Sequence, residues 1–170
     1  QAQCSLNNLV IGKYLSYFYN SECNGLLIKG DIKGEKLFRS FGVNKFYYFD
    51  DKNIIIRISY IFKALVILNK IKNTKDLCDL KIKDIDIGLT TYDTFIRYSR
   101  IPSSNKITFK MIVLLAQTLL ANDYFYNLFK EKKITKLVQA EKQFVPLSLL
   151  FQNALKAKKT IFTRTGTDKI

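Results

Sequence analysis

The sequence predicts an α/β domain with a Rossmann-like open parallel sheet flanked by helices. Three observations carry that expectation. Short apolar or aromatic runs of strand length, such as NGLLIK at 24–29 and KFYYF at 45–49, alternate with segments of helical period. Strands separated by helices are joined by crossovers, which makes neighbouring strands parallel. Finally, 170 residues with 48% apolar and 14% aromatic side chains suffice for one buried core and are short for two, so a single domain over 1–170 is expected.

Ser5 can cap a helix over 5–19, where Leu6, Leu9, Val10, Lys13, Tyr14, Tyr17 and Phe18 recur at helical spacing. A buried strand follows at 24–29, reached through Asn24-Gly25. KGEKLFRSFG fits a short helix closed by Gly42, before a second strand at 45–49. Residues 53–72 read as a long apolar helix, and 74–87 as a polar connector with strand character around 81–87. From Gly88 a helix runs until Pro102, whose ring disfavours helix in the residue before it. Ser104 or Asn105 can cap the next helix, 107–130, in which Tyr124, Phe125, Tyr126 and Phe129 are expected in the core. KITKLVQA, 133–140, is a strand, Pro146 suits the first turn of a helix over 146–158, and TIFTRT, 160–165, alternates as a last strand. The chain opens on a helix and closes just past a strand, so half of a larger architecture is expected.

Composition narrows the chemistry. With no histidine, Ser-His-Asp triads, Cys-His pairs and His-ligated metals are excluded within this chain. Cys4, Cys23 and Cys78 are odd in number and form no CxxC, which points to reduced thiols rather than a disulfide framework or zinc ribbon. A net charge of +14 suggests anionic company. The basic residues are spread along the chain, with a modest cluster at Lys156, Lys158, Lys159 and Arg164. Nucleic acid is disfavoured, because neither an RRM-type aromatic signature nor a zinc-finger spacing is present. Residues 54–71 are long enough to span a bilayer but carry Arg57, Lys63 and Lys70. A central Arg or Lys costs roughly 2.5–3.5 kcal/mol, so the segment reads as a buried or interfacial helix, compatible with peripheral membrane contact.

Ligands of an open parallel sheet bind beyond the carboxyl ends of its strands. That rule nominates Lys29-Gly30-Asp31, Asp50-Asp51, Glu141 and Arg164-Thr165-Gly166. A carboxylate at Glu141 can act as a general base or hold a sugar hydroxyl, and the Arg164 fork can pair with a phosphate. Asp84-Ile85-Asp86 matches a DxD, a pair of hard oxygen ligands for a divalent cation, in a context that reads as connector. Gly30, Gly34 and Gly42 fit neither a dinucleotide fingerprint nor a P-loop. In GLTTYDTFIRYSR, 88–100, Asp93 and Arg97 stand four apart and are expected to form an ion pair worth about 0.2–0.5 kcal/mol. By spacing alone this is a structural helix.

DIDIGLTTYDTFIRYSR also resembles the IGDLIYDTYLR segment of bacterial surface-carbohydrate proteins of capsule and O-antigen biosynthesis, which are glycosyltransferase-like. SLNNLVIGKYLSYFYNSECNGLLI with KLFRSFGVNKFYYF near the start, and VQAEKQFVPLSLLFQNALKAKKTIFTRTG near the end, are similar in kind. One departure is that Leu89-Thr90-Thr91 stands where the family has Asp-Leu-Ile after the glycine. The resemblance implies a GT-B enzyme of two Rossmann domains, with this chain as much of the amino-terminal, acceptor-side domain. A carboxyl-terminal domain beyond Ile170 would then hold the nucleotide-sugar donor, no cofactor would bind this chain, and the chain alone would be inactive. It further implies a glycan or lipid-linked acceptor at the cytoplasmic face of the inner membrane. On that reading Glu141 and Asp93 are the catalytic candidates, and Arg39, Arg97 and Arg164 the substrate-binding ones. A rival expectation is a non-catalytic basic module that binds an anionic glycan or membrane surface.

Overall fold

Side-chain caps set most of the helix starts, and the computed structural model describes residues 2–50 and 53–163. Helix α1 is Ala2–Phe18, strand β1 Gly25–Ile28, α2 Ile32–Ser40, β2 Phe46–Phe49 and α3 Ile54–Leu68. Then come α4 Thr74–Cys78, β3 Lys81–Ile82, β4 Ile85–Asp86, α5 Ile87–Ser99, α6 Phe109–Glu131, β5 Lys136–Gln139, α7 Leu147–Lys156 and β6 Thr160–Thr163. Asp31, Asn53, Asn73 and Thr108 accept from the backbone N–H three residues on and so start α2, α3, α4 and α6. The cap of α6 is therefore Thr108, not Ser104 or Asn105. Ser104 instead holds Tyr92, whose hydroxyl accepts from the Ser104 N–H at 3.1 Å.

The α/β class holds, but the expected single open parallel sheet is not formed by the described residues. Their strands pair two by two: β1 with β2, β3 with β4, and β5 with β6. Within 74–87, expected as a connector with strand character around 81–87, the strands form and local chemistry adds a helix and a reversal. Two side chains hold the start of α4: Asn73 Oδ1 accepts from the Asp76 N–H, and Asp76 Oδ2 accepts from the Lys72 N–H. Lys83 and Asp84 then adopt φ of 50° and 59°, a two-residue reversal that pairs β3 with β4 antiparallel. A crossover, which a parallel neighbour would need, is thereby ruled out for these two strands.

The residues gather into two compact units: Gln1–Lys52 with Val138–Ala140 and Phe162–Ile170, and Asn53–Leu137 with Glu141–Ile161. In the first, β1-α2-β2 forms a parallel unit, with Gly25 opposite Phe46 and Ile28 opposite Phe49. Gly42 closes α2 at φ 74°, where the Val43 N–H reaches Phe38 O and the Gly42 N–H reaches Arg39 O. That is the role the sequence assigned to it. Val43, the next residue, is buried, as are Leu27 of β1, Phe49 of β2 and Leu9 of α1.

In the second unit α6 is the centre, packed by α3, α5 and α7. It buries residues on almost every side, from Met111 and Leu115 to Phe125 and Phe129, which is what a central helix requires. Not all of these are apolar. Thr118 donates to Leu114 O at 2.9 Å, and its oxygen lies 2.9 Å from the Thr91 hydroxyl of α5. Asn153 of α7 donates to Asn122 Oδ1 at 3.0 Å. Helix α3 is tied on by the Tyr60 hydroxyl, which donates to Asp123 Oδ2 at 2.7 Å. Burial and that carboxylate both push the Tyr60 phenol well above its usual range.

Gly88 fixes how closely α5 meets the turn before it. A Cβ built there would lie 1.6 Å from Leu77 O of α4, so only hydrogen fits. Gly88→Ala is expected to lower stability by about 3 kcal/mol or more, since α4 and α5 must separate along their contact. Urea denaturation measures this; a variant as stable as the parent would disprove the close approach.

Candidate functional site

Helix α5 divides its residues between two tasks. Thr90, Thr91, Thr94 and Phe95 are buried, while Asp93, Arg97, Tyr98 and Arg100 are exposed. The inward threonines gather neighbouring chain. Gln152 of α7 donates to Thr90 Oγ1 at 3.1 Å and accepts from the Asp86 N–H at 2.9 Å. The Thr94 hydroxyl donates to Thr90 O at 2.7 Å, and its oxygen accepts from the Val145 N–H at 3.1 Å. Val145 belongs to the segment that follows Glu141, and the Arg97 guanidinium lies over the Phe144 ring at 5.6 Å. Thus Arg97 and Glu141 sit on two stretches of chain that touch. Within its own stretch Glu141 Oε1 accepts from the Gln143 N–H at 2.7 Å, making a tight local turn.

The expected Asp93–Arg97 ion pair is not among the contacts of the described residues. Arg97 is turned toward Phe144, where its cation–π contact keeps it on the α7 side of α5. Asp93 faces the α4 side instead. Partial burial raises its carboxyl above the usual range, and its charge adds to the burial that already pushes the Cys78 thiol up. Spacing placed the two charges one turn apart; the competing ring contact decided which way the longer side chain went.

Beside the last turn of α5 is an open hollow of about 570 Å³, lined by Ile96, Arg97, Tyr98, Arg100 and Ile101. Its apolar floor is anchored, because Ile96 and Ile101 pack on the buried cluster of Phe95, Met111 and Leu114. Arg100 was missed by the sequence reading. It ends α5 in the left-handed conformation, φ 54° and ψ 41°, with its N–H bonded to Ile96 O. The available signal was its place two residues before Pro102, where the helix has to stop. A third cation is near: Lys110 donates to Ser99 Oγ at 3.1 Å. Cations at a helix carboxyl end are favoured by the macrodipole. Among the described residues neither Arg97 nor Arg100 forms an ion pair, so both forks are open to a phosphate or carboxylate. Tyr98, 61% exposed, offers a ring face on the same hollow.

The other nominated residues lie apart from this hollow in sequence and role. Arg39 belongs to the first unit, where its Nε and Nη2 both bond Glu35 Oε1, at 2.9 and 2.7 Å, and its guanidinium covers the Phe46 ring at 4.9 Å. The Arg39 bond, aided by the Tyr48 hydroxyl, holds the Glu35 carboxyl below its usual range. Lys29 and Asp50, at the carboxyl ends of β1 and β2, bridge at 3.0 Å. Arg164, Thr165, Gly166 and Asp51 lie outside the described residues. In the DxD, Asp84 pairs with Lys156 and Asp86 with Lys81, both at 3.0 Å, so each carboxylate is held by a lysine. No group of three or more His, Cys, Asp or Glu that could hold a metal occurs among the described residues.

A non-glycine residue in the left-handed region costs roughly 1–2 kcal/mol. Arg100→Gly is therefore expected to raise the unfolding free energy by about 1 kcal/mol while weakening anion binding at the hollow. Chemical denaturation together with phosphate titration reads both quantities. A destabilised variant would show that the Arg100 side chain holds the fold rather than the site. No protein-family model, no curated protein and no solved structure matches this chain.

Proposed function

We propose that this chain is the acceptor-side part of a glycosyltransferase-like protein of bacterial capsule or O-antigen polysaccharide biosynthesis. In that reading a sugar passes from a nucleotide-sugar donor to a glycan or lipid-linked acceptor. The observation that carries it is the hollow at the end of α5, where two guanidiniums without ion-pair partners among the described residues flank an exposed tyrosine. A pyranose ring stacks on a tyrosine face, and a guanidinium fork binds the phosphate or carboxylate of an anionic sugar. The family resemblance of 84–100 falls on the same helix, and the parallel β1-α2-β2 unit is the building block of the Rossmann-like sheet that the resemblance implies.

Arg97 and Arg100 would hold the anionic part of the acceptor. Glu141, on the segment that Thr94 and Phe144 fasten to α5, would take the proton of the attacking hydroxyl. Asp93, with its raised carboxyl, is the acid that α5 itself carries. The donor is assigned to a further domain, the location to the cytoplasmic face of the inner membrane, and catalysis to the whole enzyme rather than to this chain alone.

A protein that carries the natural flanking sequence is expected to consume nucleotide-sugar in the presence of acceptor. Arg97→Ala with Arg100→Ala should raise the acceptor KM by about tenfold or more, the worth of a charged hydrogen bond. Glu141→Gln should lower kcat by about 100-fold, in the range of a lost general base. Binding of an acidic glycan by the hollow without turnover would favour a non-catalytic binding module. Absence of both binding and turnover would overturn the proposal.

A further inference from the structure

We propose that the outer face of α3 docks on an anionic lipid bilayer. The helix is held by one side only. Arg57, Tyr60 and Ile61 lie against Val113, Ala116, Gln117 and Leu120 of α6, and Ala64 is fully buried. The opposite side is apolar and bare. Ile55 is 82% exposed, Phe62 64% and Val66 62%, with Ile58 and Leu65 beside them at helical spacing. Such a contiguous apolar stripe is more than scattered surface residues and marks an interaction surface.

Charge selects the occupant. From Asn53 to Lys75 the sequence carries Arg57, Lys63, Lys70, Lys72 and Lys75 and no acid, and all but Arg57 are exposed. Lys63 borders the stripe and has Asp123 at 3.6 Å. A second copy on this face would bring another chain of net charge +14 against the same row of cations, and like charge opposes that. An anionic bilayer answers both features, because its headgroups attract the lysines while its acyl boundary receives the isoleucines and Phe62. Length fixes the mode. Fifteen residues span about 22 Å, short of the roughly 30 Å hydrocarbon core, so α3 lies in the interface rather than across it. No helix among the described residues is long and apolar enough to cross a membrane. This surface stands independently of the sugar-transfer reading.

The test is flotation of the whole chain with vesicles of equimolar phosphatidylcholine and phosphatidylglycerol, beside vesicles of phosphatidylcholine alone. Binding to the anionic vesicles is expected, at least about tenfold weaker on neutral ones and weakened by salt. Ile55→Asp with Phe62→Asp should abolish it and leave the circular dichroism spectrum unchanged, since both side chains are exposed. No flotation with anionic vesicles, or flotation that the double variant does not alter, overturns the proposal. So does a dimer in sedimentation equilibrium that Phe62→Asp dissociates, which would assign the face to a second copy.

Discussion

The contact between α5 and its surroundings organises the second unit, and buried polar atoms share it with the apolar packing of Ile87 and Phe95. Gly88 lets the first turn of α5 approach Leu77 O. Thr91 then meets Thr118 on α6, Thr90 meets Gln152 on α7, and Thr94 takes the Val145 N–H. Each hydroxyl is short enough to permit close packing and can bond a carbonyl of its own helix four residues back, as Thr91 and Thr94 do. Fully buried hydroxyls left without partners would cost more than they contribute, so the network holds as a set.

That network also sets what α5 shows to solvent. Arg97 and Tyr98 stand three and four residues past Thr94, so the helical period sets them on the threonine side one turn beyond the buried stretch, where with Arg100 they line the hollow. Phe95 and Ile96 seat the last turn on Met111 and Leu114, which holds the hollow's rim on a packed base. Arg100 ends the helix in a conformation that glycine would adopt more easily. Strain of this kind is tolerated where the surrounding structure over-determines it, and it tends to collect at sites that bind. The same helix is therefore both keystone and presenter of charge.

The positive charge is distributed differently in the places where it has local partners. Arg39, Lys29, Lys45, Lys81 and Lys156 each meet a carboxylate, which anchors loops and element ends. These exposed pairs contribute little each, because water and salt screen them. Their effect is to leave the net excess to other residues, among them Arg97, Arg100 and the lysines that follow α3. An electrostatic surface of that kind acts on association rates and partner choice more than on the fold.

Much of the local structure was legible in the sequence. Helical period and strand-length runs located α1, α2, α5, α6, α7, β1, β2 and β5 within a few residues, and Gly42 closes α2 as its backbone freedom allows. These are short-range effects, in which the side chain and its nearest neighbours settle the conformation. Strand character around 81–87 was legible, but helix α4 and the reversal between β3 and β4 were not, because Asn73 capping and a Lys-Asp turn carry weak compositional signals. What only tertiary structure decided was pairing and direction. Strand partners depend on which faces the helices have already claimed, so an alternation that suits one parallel sheet ended as separate pairs. Likewise spacing put Asp93 and Arg97 one turn apart, but Phe144, distant in sequence, drew the guanidinium away. Sequence determined which charges α5 carries; packing determined where each one points.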